Sequence, residues 1–148
     1  LILYSAPEVF RNTGYGFAVD WWAVGILIYE MTVGISPFYS VNRHEMKGKI
    51  LKDPIKFFDD EKSKSCGMTI SQEYVDLVTA LLDRNPEKRL GSNGGAEEIL
   101  AHPYFSNIDK KAIEEKLEKA PYIPQFANKD VDDFFKPPDE IDESRVSL

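Results

Sequence analysis

The seventeen positions from Phe17 to Val33 carry only two charges, Asp20 and Glu30; the rest of the run, through Trp21-Trp22-Ala23-Val24-Gly25-Ile26-Leu27-Ile28-Tyr29, is apolar on every face. A helix of that kind is either sunk in a core or crosses a membrane. A crossing needs ~20 mostly apolar residues, and the two carboxylates bracket this run too tightly. The run therefore predicts a core helix. The chain has 148 residues, 43% of them hydrophobic, enough for one globular domain with a sizeable core. Even so, it supplies too few partners to cover every face of this helix, so the segment alone is expected to be aggregation-prone or molten. It opens at Leu1 without a methionine and runs straight into Ile2-Leu3-Tyr4, like the middle of a longer polypeptide. No charged n-region with an apolar run behind it suggests a secretory signal.

After Pro37-Phe38 a shorter helix is expected, with Asn42 as N-cap, Glu45 completing a capping box and Val41 stapling onto Met46. Lys52-Asp53-Pro54 ends it, because the residue before a proline is pushed away from helical angles. Asp59 to Met68 is polar and reads as a loop. Tyr74, Leu77, Val78, Leu81 and Leu82 then fall at i, i+3, i+4, i+7 and i+8, one helical face. Ser71 caps that helix, Ile70 and Val75 staple it, and Asn85-Pro86 closes it. A glycine-rich loop (Gly91 to Gly95), a short helix from Ala96 to Ala101 and a charged helix from about Ile108 to Lys119 follow, and Pro121 stops the last. From Tyr122 onward extended chain is expected. No strand pattern of any length is present, so the fold class is mainly α.

The net charge of −7 argues against broad nucleic-acid or anionic-membrane binding. More than half of it sits between Lys129 and Leu148, where seven acidic residues face three basic ones. Such tails are usually solvated and extended. One cysteine, Cys66, cannot form an internal disulfide and suits a reducing compartment. Gly14-Tyr15-Gly16 precedes a helix, but Val19 takes the third glycine's place and no strand comes before it, so it is no phosphate cradle. Gly91-Ser92-Asn93-Gly94-Gly95 is a turn. His44-Glu45 lacks a second histidine and His102 stands alone, so no metal site is expected.

Four charges in apolar surroundings are more informative: Glu8 after Ala6-Pro7, Asp20, Glu30, and Arg89 between Lys88 and Leu90. Unpaired buried charges cost several kcal/mol, so such residues have partners. Glu8 and Arg89 are the candidates to pair, because a guanidinium offers a two-pronged fork to a carboxylate.

Ala6-Pro7-Glu8, Asp20-Trp21-Trp22-Ala23-Val24-Gly25, Pro37-Phe38, Asn85-Pro86-Glu87-Lys88-Arg89-Leu90-Gly91 and His102-Pro103-Tyr104-Phe105 occur in this order. Together they resemble the lower half of the protein-kinase catalytic domain, from the Ala-Pro-Glu motif to the end of the helical C-lobe. The double tryptophan, the Arg-Leu-Gly and Pro121-Tyr122-Ile123-Pro124-Gln125-Phe126 resemble the AGC group of serine/threonine kinases in particular. The resemblance implies a partial catalytic domain over residues 1–105 and an AGC-type, acidic C-terminal extension over 106–148.

In such kinases the matching residues have stated roles. The resemblance implies that Glu8 pairs with Arg89 and that Asp20 anchors the catalytic loop. It implies that Glu30 receives a substrate arginine just before the phosphoacceptor. Phe134 or Phe135, with Phe135 preferred, matches the aromatic near the nucleotide, and Ser147 in Arg145-Val146-Ser147 the turn-motif phosphorylation site. Two positions depart from the pattern: Leu3 stands where a second acidic contact is usual, and Leu1 where a threonine is. The implied partners are a protein substrate, basic around its phosphoacceptor, and the N-lobe and catalytic loop that this sequence lacks. The implied location is the cytoplasm. The Gly-rich loop, strand lysine, helix glutamate, catalytic Asp and Asn, and metal-binding Asp of Asp-Phe-Gly are all missing. The whole protein is thus expected to use ATP and Mg²⁺, with no catalytic residue, metal or nucleotide site in this segment and no turnover by it alone. The alternative is a naturally truncated pseudokinase lobe that binds proteins.

Overall fold

The computed structural model describes residues 2–12, 14–57 and 69–123, and among these it is helical, with no strand. A 3₁₀ turn (Ile2–Tyr4) leads into α1 (Pro7–Arg11), α2 (Ala18–Val33) and α3 (Arg43–Lys52). Next come α4 (Gln72–Leu81), α5 (Gly95–Leu100), a second 3₁₀ turn (Pro103–Phe105) and α6 (Lys110–Glu114). The chain divides into two compact units, Leu1–Ile108 and Asp109–Leu148. The expected loop from Asp59 to Met68, Cys66, Leu1 and the acidic tail with Phe134, Phe135 and Ser147 lie outside the described residues. No helix of the described residues is long and apolar enough to cross a membrane.

In the first unit α2 is the axis. Trp22, Ile26 and Tyr29 are buried with Phe38, Met46, Ile50, Tyr74 and Val78 in one cluster, while Leu77, Leu81 and Ile99 form a second against Trp21 and Val24. The helices α2 and α4 meet at Gly25, where an added Cβ would lie 2.9 Å from both Leu81 Cβ and Leu82 Cδ2. Only glycine permits that approach. The opposite side of α2 stays open: Leu27 and Met31 are exposed, and Phe17, its N-cap, is 90% exposed. The helix ends at Gly34, whose left-handed φ of 85° is cheap for glycine.

Local signals placed several ends. Asn42 accepts hydrogen bonds from the His44 and Glu45 N–H groups, and Ser71 accepts one from Tyr74 N–H. Ile70 and Val75 both pack against the first cluster.

Three expectations need correction. The capping box at α3 does not close directly, because Ser40 stands between its members. Asn42 N–H donates to Ser40 Oγ at 3.2 Å, and Ser40 Oγ donates to Glu45 at 2.8 Å. That polar relay turns Val41 outward, 90% exposed, so no staple onto Met46 forms. The charged helix spans only Lys110–Glu114, not Ile108 to Lys119. Asp109 caps its start, and Lys116 enters the left-handed region at φ 56°. Leu117 N–H then reaches back to Ala112 C=O at 2.8 Å, and Lys116 N–H to Ile113 C=O at 3.0 Å. These two bonds are the Schellman closure that usually uses glycine.

Candidate functional site

Pro7 occupies the first turn of α1, where its missing N–H costs nothing, and this places Glu8 in the same turn, where a carboxylate suits the helix dipole. Arg89 sits in the loop after α4, which Asp83 and Asn85 shape: Asp83 Oδ1 accepts Asn85 N–H at 2.8 Å, and Asn85 Oδ1 accepts Glu87 N–H at 3.0 Å. The loop folds back over α4 through Leu90 N–H to Ala80 C=O, 3.0 Å.

Glu8 and Arg89 meet there. Arg89 Nη1 donates to Glu8 Oε1 at 2.6 Å and Nη2 to Oε2 at 2.9 Å, a two-pronged pair. Nη1 also donates to Ala18 C=O at 2.7 Å, and Nε to Asp83 C=O at 2.9 Å. These four bonds use four of the five guanidinium N–H groups. Arg89 is 0% exposed and Glu8 3%. Burial by itself would raise the Glu8 carboxyl, but the hydrogen bonds and charge of Arg89 outweigh it and hold the group below its ordinary range. The pair is therefore ionised and satisfied.

Aromatic stacking extends the same junction. The Arg89 guanidinium lies 5.3 Å from the Trp22 ring, Trp22 stacks on Phe38 at 5.7 Å and 12°, and the Arg84 guanidinium lies 5.5 Å from Phe38. Arg84 in turn caps α3, donating to the carbonyls of Ile50 (2.7 Å), Lys49 (3.2 Å) and Asp53. Burial lowers its pKa, but a guanidinium starts high enough to stay charged. Sequence reasoning missed Arg84. Its only signal was a basic residue beside Asn85-Pro86, and its carbonyl partners lie over thirty residues upstream.

Glu30, near the end of α2, is half-buried and accepts a hydrogen bond from the Tyr4 hydroxyl of the 3₁₀ turn. That bond raises the Tyr4 pKa, so the phenol stays protonated as the donor. The segment from Ile2 to Glu8 is thus fastened at Tyr4 to α2 and at Glu8 to Arg89. Asp20 is exposed in the first turn of α2, beside a cavity of about 420 Å³ lined also by Tyr15, Gly16, Phe17 and Val19. The structure therefore brings Glu8 to Arg89 and Tyr4 to Glu30, and leaves Asp20 facing outward.

Nothing in the geometry of the described residues assigns a nucleotide or metal ion to this segment. The Gly14-Tyr15-Gly16 stretch follows no strand, its cavity is walled by Tyr15, Phe17 and Val19, and no three His, Cys, Asp or Glu side chains of the described residues converge as metal ligands. No step of phosphoryl transfer is assigned to this segment.

Comparison with known proteins places these features in context. The family described as "Protein kinase domain" matches residues 2–105. The chain is 48% identical over 123 residues to the serine/threonine-protein kinase gad8 of Schizosaccharomyces pombe, covering 82% of this chain and 20% of that relative. It is 43% identical over 123 residues to the serine/threonine protein kinase ypkA of Aspergillus fumigatus, covering 83% of this chain and 17% of the relative. The serine/threonine-protein kinase YPK1 of Saccharomyces cerevisiae is 40% identical over 125 residues, with 84% and 17% covered. The chain spans about a fifth or less of the length of these curated relatives.

Proposed function

Because this chain belongs to the protein-kinase family, as a segment of an AGC-group serine/threonine kinase, we propose that the whole protein transfers the γ-phosphate of ATP to Ser or Thr of protein substrates and that this segment is its substrate-side scaffold. The observation that carries the reading is the double fastening of residues 2–8. Tyr4 holds this stretch to the Glu30 carboxylate, and Glu8 locks it to Arg89. A fixed strip of chain beside a half-buried carboxylate is what an enzyme needs to present a peptide, since phosphoryl transfer depends on positioning and charge neutralisation.

The residues then divide their work. Glu30 receives a substrate arginine, with Tyr4 keeping its carboxylate in place. Asp20 anchors the catalytic loop from upstream. Bound ATP and Mg²⁺ supply the phosphoryl group and neutralise its charge, at residues of the upstream chain. The same upstream chain covers Leu27 and Met31 on the open side of α2, which otherwise leave apolar area in water. By the resemblance, Phe135 packs near the nucleotide and Ser147 is phosphorylated. A cytoplasmic location belongs to the same proposal and suits a chain with one cysteine.

Intact mass of the protein purified from its source, with peptide coverage upstream of Leu1, is the first test, followed by γ-phosphate transfer to a Ser/Thr peptide. A mass of full kinase size with transfer supports the reading. A mass near 16.9 kDa without transfer replaces it with a non-catalytic, truncated lobe that binds proteins.

A further inference from the structure

A groove between the first 3₁₀ turn and the start of α3 is unused by the reading above. Ile2 and Leu3, both half-buried, line it with the buried Met46 and the exposed Arg43, around about 250 Å³. Small-molecule sites run to roughly 300–1,000 Å³, so a space of this size suits one or two side chains rather than a cofactor. Of the described residues that line it, three are apolar, one is a cation and none is a carboxylate. Arg43 makes no ion pair with the described residues. A second cation follows on α3: Lys47 lies 5.6 Å from the Phe10 ring centre.

The turn that forms this wall is fixed. Tyr4 donates to Glu30, and Ser5 N–H closes on Ile2 C=O at 3.1 Å. Neighbours in a 3₁₀ turn project about 120° apart, so Leu3 and Tyr4 serve different sides of it. A peptide lying along the turn meets the Glu30 carboxylate on one side and the groove on the other.

We propose that this groove is a substrate subsite that takes an apolar side chain adjoining an Asp or Glu and turns away a second arginine. Leu3, Ile2 and Met46 take the apolar group, and Arg43 takes the carboxylate. An arginine there would leave water for an apolar wall and face Arg43, which rejects it by repulsion as well as by lost contact. The inference rests on the kinase reading and narrows its substrate class to one arginine at Glu30 with an apolar–acidic pair alongside.

The test uses the full-length protein, including the sequence upstream of Leu1. A peptide series keeps one phosphoacceptor and one arginine, and carries Leu-Asp, Ala-Ala or Arg-Arg at each other register. Transfer is read as kcat/KM, and binding separately by fluorescence anisotropy with the phosphoacceptor replaced by alanine. Leu-Asp is expected to lead Arg-Arg by roughly tenfold at one register in both readouts. Leu3→Glu shifts the preference towards arginine. Arg43→Glu, at an exposed position that tolerates change, abolishes the preference for the acid. A binding preference without any transfer keeps the groove and overturns the kinase reading. Transfer without a preference at any register, or with one that neither variant moves, overturns the groove.

Discussion

Glu8 and Arg89 stand 81 residues apart in sequence and meet where both are buried, whereas Lys110 and Glu114 are neighbours on one exposed turn of α6. The first pair makes two bonds at 2.6 and 2.9 Å, with Ala18 and Asp83 carbonyls filling more of the fork. The second reaches 3.9 Å, and its neighbour Lys111–Glu115 reaches 3.8 Å, all with side chains largely in solvent. The chemistry of the partners is the same; the surroundings differ. Exposed pairs of this kind are worth ~0–1 kcal/mol because water and salt screen them. A buried pair gains little over an apolar replacement, yet losing one partner strands the other charge without water. The number of ion pairs is therefore a poor guide to what holds this chain together.

The sharpest way to break that contrast is to remove one partner of the buried pair. Arg89→Ala or Glu8→Ala in the full-length protein is expected to cost ~3–5 kcal/mol, read as a large fall in Tm. A loss no bigger than that of a surface pair would erase the distinction. Gly25→Ala attacks the helix that carries the junction without touching a charge. Its Cβ meets Leu81 and Leu82 at 2.9 Å, so overpacking of ~1–3 kcal/mol is expected by chemical denaturation. An unchanged midpoint would mean that α2 and α4 separate freely.

Acid provides a finer probe. The Glu8 carboxyl is held below its ordinary value of 4.5 in the folded protein, so its stabilisation is complete above that pH and drains away as pH falls through the lowered value. Melts taken to progressively lower pH from the ordinary value of 4.5 should show this limb, and Glu8→Gln, already less stable at neutral pH, should show less of it. Equal slopes would assign the acid loss to other carboxylates. The smallest effects belong to α6. Glu114→Gln should change stability by less than about 0.5 kcal/mol, while Lys116→Gly should stabilise by up to ~1 kcal/mol, because glycine takes φ 56° without a Cβ penalty. Helicity of a peptide covering residues 106–123 measures both.

Different parts of the molecule were legible to different degrees. The core helix was readable because its composition leaves no polar face. The cap at Ser71 and the stripe from Tyr74 to Leu82 follow from spacing within two turns. Glu8 and Arg89 were legible as partners because a buried charge needs a partner and a guanidinium fork matches a carboxylate. Val41 was misread because Ser40, one residue earlier, intercepts both members of the capping box. The length of α6 was misread because lysine, not glycine, takes the left-handed position after it. The Arg84–Phe38–Trp22–Arg89 stack was invisible, since it joins three elements whose order in the chain says nothing of their contact.

By itself the sequence determined the mainly helical class, the need for α2 to be buried and the family to which the chain belongs, because period, caps and motif order are local properties. Only the tertiary structure decided that Tyr4 reaches Glu30, that Arg84 closes α3, and that Leu3 and Arg43 share one groove. Those contacts depend on how α2 packs at Gly25 and how the loop after α4 folds back. Side-chain positions 26 to 81 residues apart are set by that packing, not by any pattern a window of sequence contains.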